Sequence, residues 1–221
     1  MSGHNGDTWS HKVAKDNMAD KSTWNERYAA KDLVWSAGPN KRFAEEVATM
    51  TPGRALDVAC GEGRNAIYLA EQGWQVTAID FSDVGIAKGR QIAAKRGVEV
   101  DFIVGDVVDA SLPHEFDLVA VLYLHTDPES RARWLPRVIA SVAPGGWFLY
   151  IGHDPANIEH GVGGPQNPDV LPGADEMSRL LEGFDMEFCG VTERPVTSDP
   201  GHGGSDAGGI ALDTVVRARR R

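Results

Sequence analysis

From residue 54 onward, short apolar runs alternate with stretches of helical period, a pattern that predicts strands separated by helices. ALDVA (55–59) is the first run, followed by glycines and then by the helical stretch RNAIYLAEQG. QVTAID (75–80) reads as the second strand. Residues 82–96 read as a helix capped by Ser82, because a serine oxygen can accept an N–H that the first turn leaves open. VDFIVGD (100–106) is the third strand. FDLVAVLYL (116–124) is almost unbroken in apolar character, as a central strand covered on both faces requires. Residues 128–142 read as a helix stopped by the turn APGG (143–146), and WFLYIGH (147–153) as the fifth strand. This β-α-β-α order predicts the α/β class: a doubly wound, mostly parallel sheet with helices on both faces.

Both ends depart from the pattern. Residues 1–21 are polar with little periodicity and are expected to form a mobile N-terminal segment. Residues 22–50 predict a helical cap or lid. Its first helix begins at 22 or 23, where Thr23 and Glu26 have capping-box spacing and Trp24 and Tyr28 share a face. Its second runs over 39–50, with Pro39 in the first turn. Near the other end, 175–182 read as a helix, and FDMEFCGVTE (184–193) and GIALDTVVRAR (209–219) as an antiparallel pair at the sheet edge. The chain then divides into the segment 1–21 and a single domain, 22–221. That domain comprises the cap 22–50, a ligand-binding core 54–153, and substrate-side loops with the strand pair over 154–221.

Composition narrows the possibilities. A chain of 221 residues fits one domain with a full core. Its longest apolar stretch, 118–124, is far too short for a bilayer, and MSGHNGDTWSHK has no apolar signal core. A cytoplasmic protein with Cys60 and Cys189 reduced is the expectation. The net charge of −10 repels phosphate backbones and argues against nucleic acid as the main partner. Arg217, Arg219, Arg220 and Arg221 are expected to be a solvated terminus.

Candidate chemistry gathers at the carboxyl ends of the predicted strands, where open α/β sheets bind ligands. LDVACGEGRNAIYLA puts Asp57, Gly61 and Gly63 at the end of the first strand, where glycines let a ligand approach the backbone. Asp80 ends the second strand, where a carboxylate can accept both ribose hydroxyls. Asp106, after Gly105, can accept an adenine amino group, and His125 follows the fourth strand at the same edge. The set describes an adenosine site. Residues 61–66 also satisfy the G-x-G-x-x-A dinucleotide fingerprint, so an NAD(P)-dependent oxidoreductase is one reading. Asp57 and Glu62 would oppose a pyrophosphate, whereas they suit the ammonium and sulfonium of a methionine moiety. S-adenosylmethionine is therefore preferred.

LDVACGEGRNAIYLAEQGWQVTAIDFS, then GD, FDLVAVLYLH and APGGWFLYIGH, together resemble the class I S-adenosylmethionine-dependent methyltransferases over about residues 22–219. Among these the chain is most similar to the small-molecule group containing tellurite-resistance and thiopurine methyltransferases. The resemblance implies a Rossmann-like, seven-stranded sheet of order 3-2-1-4-5-7-6 with strand 7 antiparallel. It also implies that Gly61 and Gly63 line the methionine part, with Asp57 steadying the loop or a water. Asp80 would hold the ribose, Phe81 would lie against adenine, Asp106 would meet the adenine amino group beside Val107, and Leu122 would line the cofactor. Tyr28 and Trp35 belong to the segment expected to close over the site, and Arg64 is a candidate for a cofactor carboxylate or a substrate anion. One departure is visible: Ala59 stands where the family often has the first glycine of Asp-x-Gly-x-Gly-x-Gly, a change expected to be tolerated.

His125 and His153 each follow a strand ending at the ligand edge and are the candidate acid–base residues. His153, Asp154 and His160 lack a recognised ligand spacing, so no metal is expected. The expected reaction is in-line methyl transfer to a small-molecule thiol, phenol, amine or oxyanion, with S-adenosylhomocysteine as the product. The alternatives are the oxidoreductase and a non-catalytic adenosylmethionine-binding module that works through a partner. Neither the acceptor nor the oligomeric state is legible in the sequence.

Overall fold

The computed structural model describes residues 20–34, 36–196 and 208–221. Its strands are β1 (Arg54–Val58), β2 (Gln75–Asp80), β3 (Asp101–Val104), β4 (Phe116–Leu122), β5 (Val142–His153), β6 (Phe184–Pro195) and β7 (Ile210–Arg220). Its helices are α1 (Lys21–Ala29), α2 (Lys41–Val47), α3 (Arg64–Glu71), α4 (Asp83–Arg96), α5 (Pro128–Ala140), α6 (Asn157–His160) and α7 (Ala174–Leu180). All seven strands form one sheet of order β3-β2-β1-β4-β5-β7-β6. The pairs β1–β2, β1–β4, β2–β3 and β4–β5 are parallel; β7 runs antiparallel to both β5 and β6. The fold expected from the resemblance is thus the one observed.

The strands take these places because their side chains need cover on two faces. In β4 every residue but Asp117 is buried. Phe43, Leu69, Trp74 and Phe102 pack one face of the sheet, and Phe116, Trp134, Leu135, Phe148 and Tyr150 pack the other. The reversal of β7 matters for function. Strands β1 to β5 end at the ligand edge, whereas β7 begins there, so Asp213 near its start pairs in register with His153 at the end of β5.

Several local expectations are corrected. The first helix is capped by Asp20, whose carboxylate accepts the Thr23 N–H, rather than by a Thr23–Glu26 box. The second spans Lys41–Val47 behind an Asn40 cap, so Pro39 lies outside it. APGG does not stop a helix. Helix α5 has already ended at Ala140, and residues 143–146 lie within β5, where Gly145 has φ 76° and the register against β4 shifts between Phe116 and Leu118. The arginine-rich end is a solvated terminus only in part: Arg219 and Arg221 are exposed, whereas Arg217 pairs with Glu46 at 3.0 Å and Glu187 at 2.9 Å, and Arg220 donates to the Ala140 carbonyl. The expectations for residues 1–19 and for most of the loop before β7 fall outside the described residues.

Candidate cofactor and acceptor site

The turn after β1 is held from both sides. Asp80, buried at the end of β2, accepts the Gly61 N–H through Oδ2 and the Ser82 N–H through Oδ1, each at 2.8 Å. The Gly105 N–H in turn donates to the Asp80 carbonyl at 2.9 Å, joining the end of β3 to that of β2. Burial raises the Asp80 pKa, and the two backbone donors oppose the rise. Ala59, Gly61 and Gly63 all have positive φ, at 56°, 57° and 75°. Ala59 therefore carries a left-handed backbone strain of about 1–2 kcal/mol that a glycine would not.

Asp57 is 1% exposed, and its Oδ2 has no hydrogen-bond partner among the described residues. Burial, reinforced by the Asp80 charge and opposed by the Ala66 N–H, pushes its pKa up to about 7. An unpartnered carboxylate oxygen beside a glycine turn suits a cation. A pyrophosphate placed there would add repulsion.

The N-terminal cap is tied across this turn. Glu62 accepts the Val34 N–H at 3.0 Å and lies 3.5 Å from Lys88 Nζ. The Asn40 N–H donates to Asn65 Oδ1 at 2.9 Å, and Arg64 Nη1 donates to Ser36 Oγ at 3.1 Å. Lys88 also donates to the carbonyls of Tyr28, Lys31 and Asp32. Tyr28 is buried, stacked on Trp24 at 5.5 Å; a Cβ added to Gly85 would lie 3.2 Å from its ring and 3.1 Å from the Gly61 carbonyl. Tyr28 therefore packs beside the glycine turn. Trp35 lies outside the described residues.

Phe81 follows β2, half-buried, and Leu122 closes β4, buried. Asp106 is exposed after β3, with Oδ1 accepting the Val108 N–H at 2.9 Å, and Val107 is buried next to it. These residues lie along the edge that also carries Asp57, Gly61, Gly63 and Asp80.

A second, more polar group lies where β4, β5, β6 and β7 meet. Tyr123, with the unusual φ of 53°, donates its phenol to Asp213 Oδ2 at 2.7 Å. Arg194 Nε donates to the same oxygen at 2.6 Å, and its guanidinium sits 5.5 Å from the Tyr123 ring centroid. His153 Nδ1 lies 3.4 Å from Asp213 Oδ1, and the His153 ring stacks on His125 with centroids 5.6 Å apart. Burial and the Asp213 charge raise the Tyr123 pKa, so the phenol stays protonated. Burial works against the Arg194 charge, yet the Asp213 bond carries its pKa above the ordinary value. Burial and the neighbouring His153 push His125 down to about 3, which keeps it neutral.

The sequence reading singled out two members of this group, His125 and His153, and missed Tyr123, Arg194 and Asp213. The available signal was Asp213 itself, an acid inside the apolar run of β7. His160 is exposed beside Glu159 and belongs to no such group. Among the described residues, no three His, Cys, Asp or Glu side chains converge on a metal-sized space, and no helix is long and apolar enough to cross a membrane.

Residues 55–146 match the methyltransferase domain family. Over 196 residues the chain is 25% identical to a ubiquinone biosynthesis O-methyltransferase of Saccharophagus degradans, a match covering 80% of this chain and 82% of that one. It spans about half the length of other ubiquinone biosynthesis O-methyltransferases that it matches. Its fold is similar to the N-methyltransferase NodS of Bradyrhizobium japonicum in complex with S-adenosyl-L-homocysteine, with TM-score 0.68, 17% identity and coverage of 90% and 98%. TehB of Haemophilus influenzae is similar in fold too, with TM-score 0.68, 15% identity and coverage of 91% and 67%. Over residues 55–146 the chain is thus similar to a methyltransferase domain family, and in fold to a methyltransferase solved with S-adenosyl-L-homocysteine; S-adenosylmethionine is the cofactor these likenesses imply.

Proposed function

We propose that this methyltransferase acts on a small-molecule acceptor whose nucleophile is an O–H, N–H or S–H group, or the corresponding anion, and that His153 takes the proton when there is one to remove. The observation that carries this reading is the half-buried polar group of Tyr123, His125, His153, Arg194 and Asp213, at the strand edge beside the cofactor turn. His125 is too weak a base to compete near neutral pH and is assigned to the acceptor wall instead. The S. degradans relative is named for O-methylation in ubiquinone biosynthesis, which supports a small acceptor. The narrower likeness to TehB rests on fold.

Bound cofactor supplies a methyl group on a cationic sulfur, open to in-line attack. The chain's own residues bind and orient it. Gly61 and Gly63 leave room beside the methionine part, Asp57 faces its ammonium and Arg64 its carboxylate. Asp80 retains lone pairs for the ribose hydroxyls, since each carboxylate oxygen accepts only one backbone N–H and can take more than one donor. Phe81, Val107 and Asp106 flank the adenine, and Leu122 lines the floor. Tyr28 and the cap exclude water from the turn, which strengthens each of these interactions.

Calorimetric titration with S-adenosylmethionine, S-adenosylhomocysteine and NAD tests this reading. Micromolar binding of the first two is expected; binding of NAD alone would overturn the methyltransferase reading. Turnover of a thiol, phenol and amine panel then separates an enzyme from a silent cofactor-binding module.

The pH dependence of that titration is a further prediction. An ammonium beside Asp57 favours the ionised carboxylate, so below its pKa of about 7 binding must release the Asp57 proton. Affinity is expected to rise as pH goes from 6 to 8, by at most about tenfold per pH unit for one coupled proton. Asp57→Asn should remove the protein's share of that slope. An unchanged slope would mean that Asp57 does not face the ammonium.

A further inference from the structure

The Asp213 carboxylate meets three side chains in different ways. Its Oδ2 receives two donors, the Tyr123 phenol at 2.7 Å and Arg194 Nε at 2.6 Å. Its Oδ1 faces His153 Nδ1 at 3.4 Å, with Arg194 Nη2 at the same distance. The carboxylate is 1% exposed and is anchored at its own backbone by the β5–β7 pairing, which sets it directly opposite His153. Gly164 lies against the imidazole: a Cβ there would come within 2.7 Å of His153 Cδ2 and 2.9 Å of Nε2, so only a glycine lets the chain approach that ring. Tyr123 adopts its φ of 53° at the end of β4, a conformation that a bulky residue takes only when its surroundings impose it.

We propose that Asp213 is a positioning residue for methyl transfer: it holds the Nδ1–H of His153 and thereby leaves the basic lone pair of that imidazole on Nε2. The inference rests on the reading of His153 as the proton acceptor. As the acceptor's lone pair bonds to the methyl carbon and the carbon–sulfur bond breaks, the acceptor's proton passes to Nε2. The positive charge lost from sulfur reappears on an imidazolium beside Asp213. Arg194 and Tyr123 hold the carboxylate in its orientation; neither takes a proton. In this structure the buried His153 Nδ1 lies 3.4 Å from Asp213 Oδ1 and makes no hydrogen bond to it, so this contact must close when the site fills for the tautomer to be held.

The geometry makes a sharp distinction for Asp213→Asn. Arg194 donates to both oxygens, but its short Nε bond and the Tyr123 phenol both fall on Oδ2, so the amide carbonyl is expected to stay there and the amide NH2 to turn to His153 at the expense of the longer Nη2 contact. A donor facing Nδ1 forces the imidazole into the other tautomer, with its proton on Nε2.

Nitrogen-15 NMR of histidine-labelled protein, with S-adenosylhomocysteine bound, reads the tautomer without any acceptor; His153→Gln assigns the signal. His153 is expected to be the Nδ1–H tautomer in the unaltered protein and the Nε2–H tautomer in Asp213→Asn. Tyr123→Phe removes one donor from Oδ2 and is expected to leave the tautomer unchanged. An Nε2–H tautomer in the unaltered protein overturns the proposal, even if Asp213→Asn fails to fold. A folded Asp213→Asn with the original tautomer overturns it too. Calorimetric binding of S-adenosylmethionine, expected within twofold of the unaltered protein, reports the fold of the variant. That same titration tests the methyltransferase reading separately, so the two can fail independently.

Discussion

Asp80→Ala is expected to weaken S-adenosylmethionine binding at least about 100-fold, a loss of about 2.7 kcal/mol. Two effects combine. The substitution removes a carboxylate proposed to hold the ribose, and it leaves the Gly61 and Ser82 N–H groups without their acceptors. Hydrogen bonds to a charged acceptor contribute about 1.5–3 kcal/mol each, so the glycine turn loses the contact that ties it to the end of β2. Calorimetry gives the affinity and thermal unfolding gives the stability, and the pair of numbers is informative. A fall in both supports a carboxylate that shapes the turn and binds the ligand. A fall in stability with affinity within threefold of the unaltered protein would reduce Asp80 to a loop tie and remove the ribose assignment. Asp80→Asn sharpens the comparison, because its amide must present a donor to one of two backbone donors. It should resemble the alanine variant in stability more than its similar size suggests.

The parts of this molecule that were legible in the sequence share a physical cause. Strands β1, β2 and β4 are covered on both faces, so they stand out as apolar runs with no need of long-range information. The glycine turn and Asp80 are separated by one helix, and each sits at the end of such a run, so their meeting at one edge follows from right-handed βαβ connections alone. APGG misled for the opposite reason. Proline and two glycines signal a turn locally, but β5 keeps its pairing by shifting register against β4 between Phe116 and Leu118.

The polar group around Asp213 could not be read in the same way. Tyr123 looks like one more residue of an apolar strand, and Arg194 like the rim of a loop. What unites them is the reversal of β7, which brings the start of that strand to the edge where β4 and β5 end. The order 3-2-1-4-5-7-6 contains this juxtaposition, yet the order names no residue. Only the register, His153 against Asp213 and Thr192 against Asp213, shows which side chains meet.

Gly63→Ala is expected to lower stability by about 2–5 kcal/mol, more than most single methyl additions in a core. Gly63 caps α3 with φ 75°, where a side chain costs about 1–2 kcal/mol for the left-handed backbone alone. The added Cβ would also lie 2.6 Å from Phe102 Cε1 and 2.7 Å from Cζ. Phe102 has little room to retreat, since a Cβ at Gly89, on the neighbouring helix α4, would already lie 2.9 Å from the same two atoms. The ring is wedged between two glycines and is 5% exposed. At about 2–4 °C per kcal/mol for a domain of this size, the melting temperature should fall by about 4–20 °C. Phe102→Leu provides the internal check, because it frees space on the Gly63 side while opening a modest cavity of its own. If the clash is the cause, the double variant will be more stable than the sum of the two single losses predicts, with a coupling of about 1 kcal/mol or more. Strict additivity would assign the whole cost to the backbone of the turn. Cofactor affinity would then be expected to fall with Gly63→Ala whether or not Phe102 is changed, because the left-handed residue at the start of α3 fixes where the methionine part can approach.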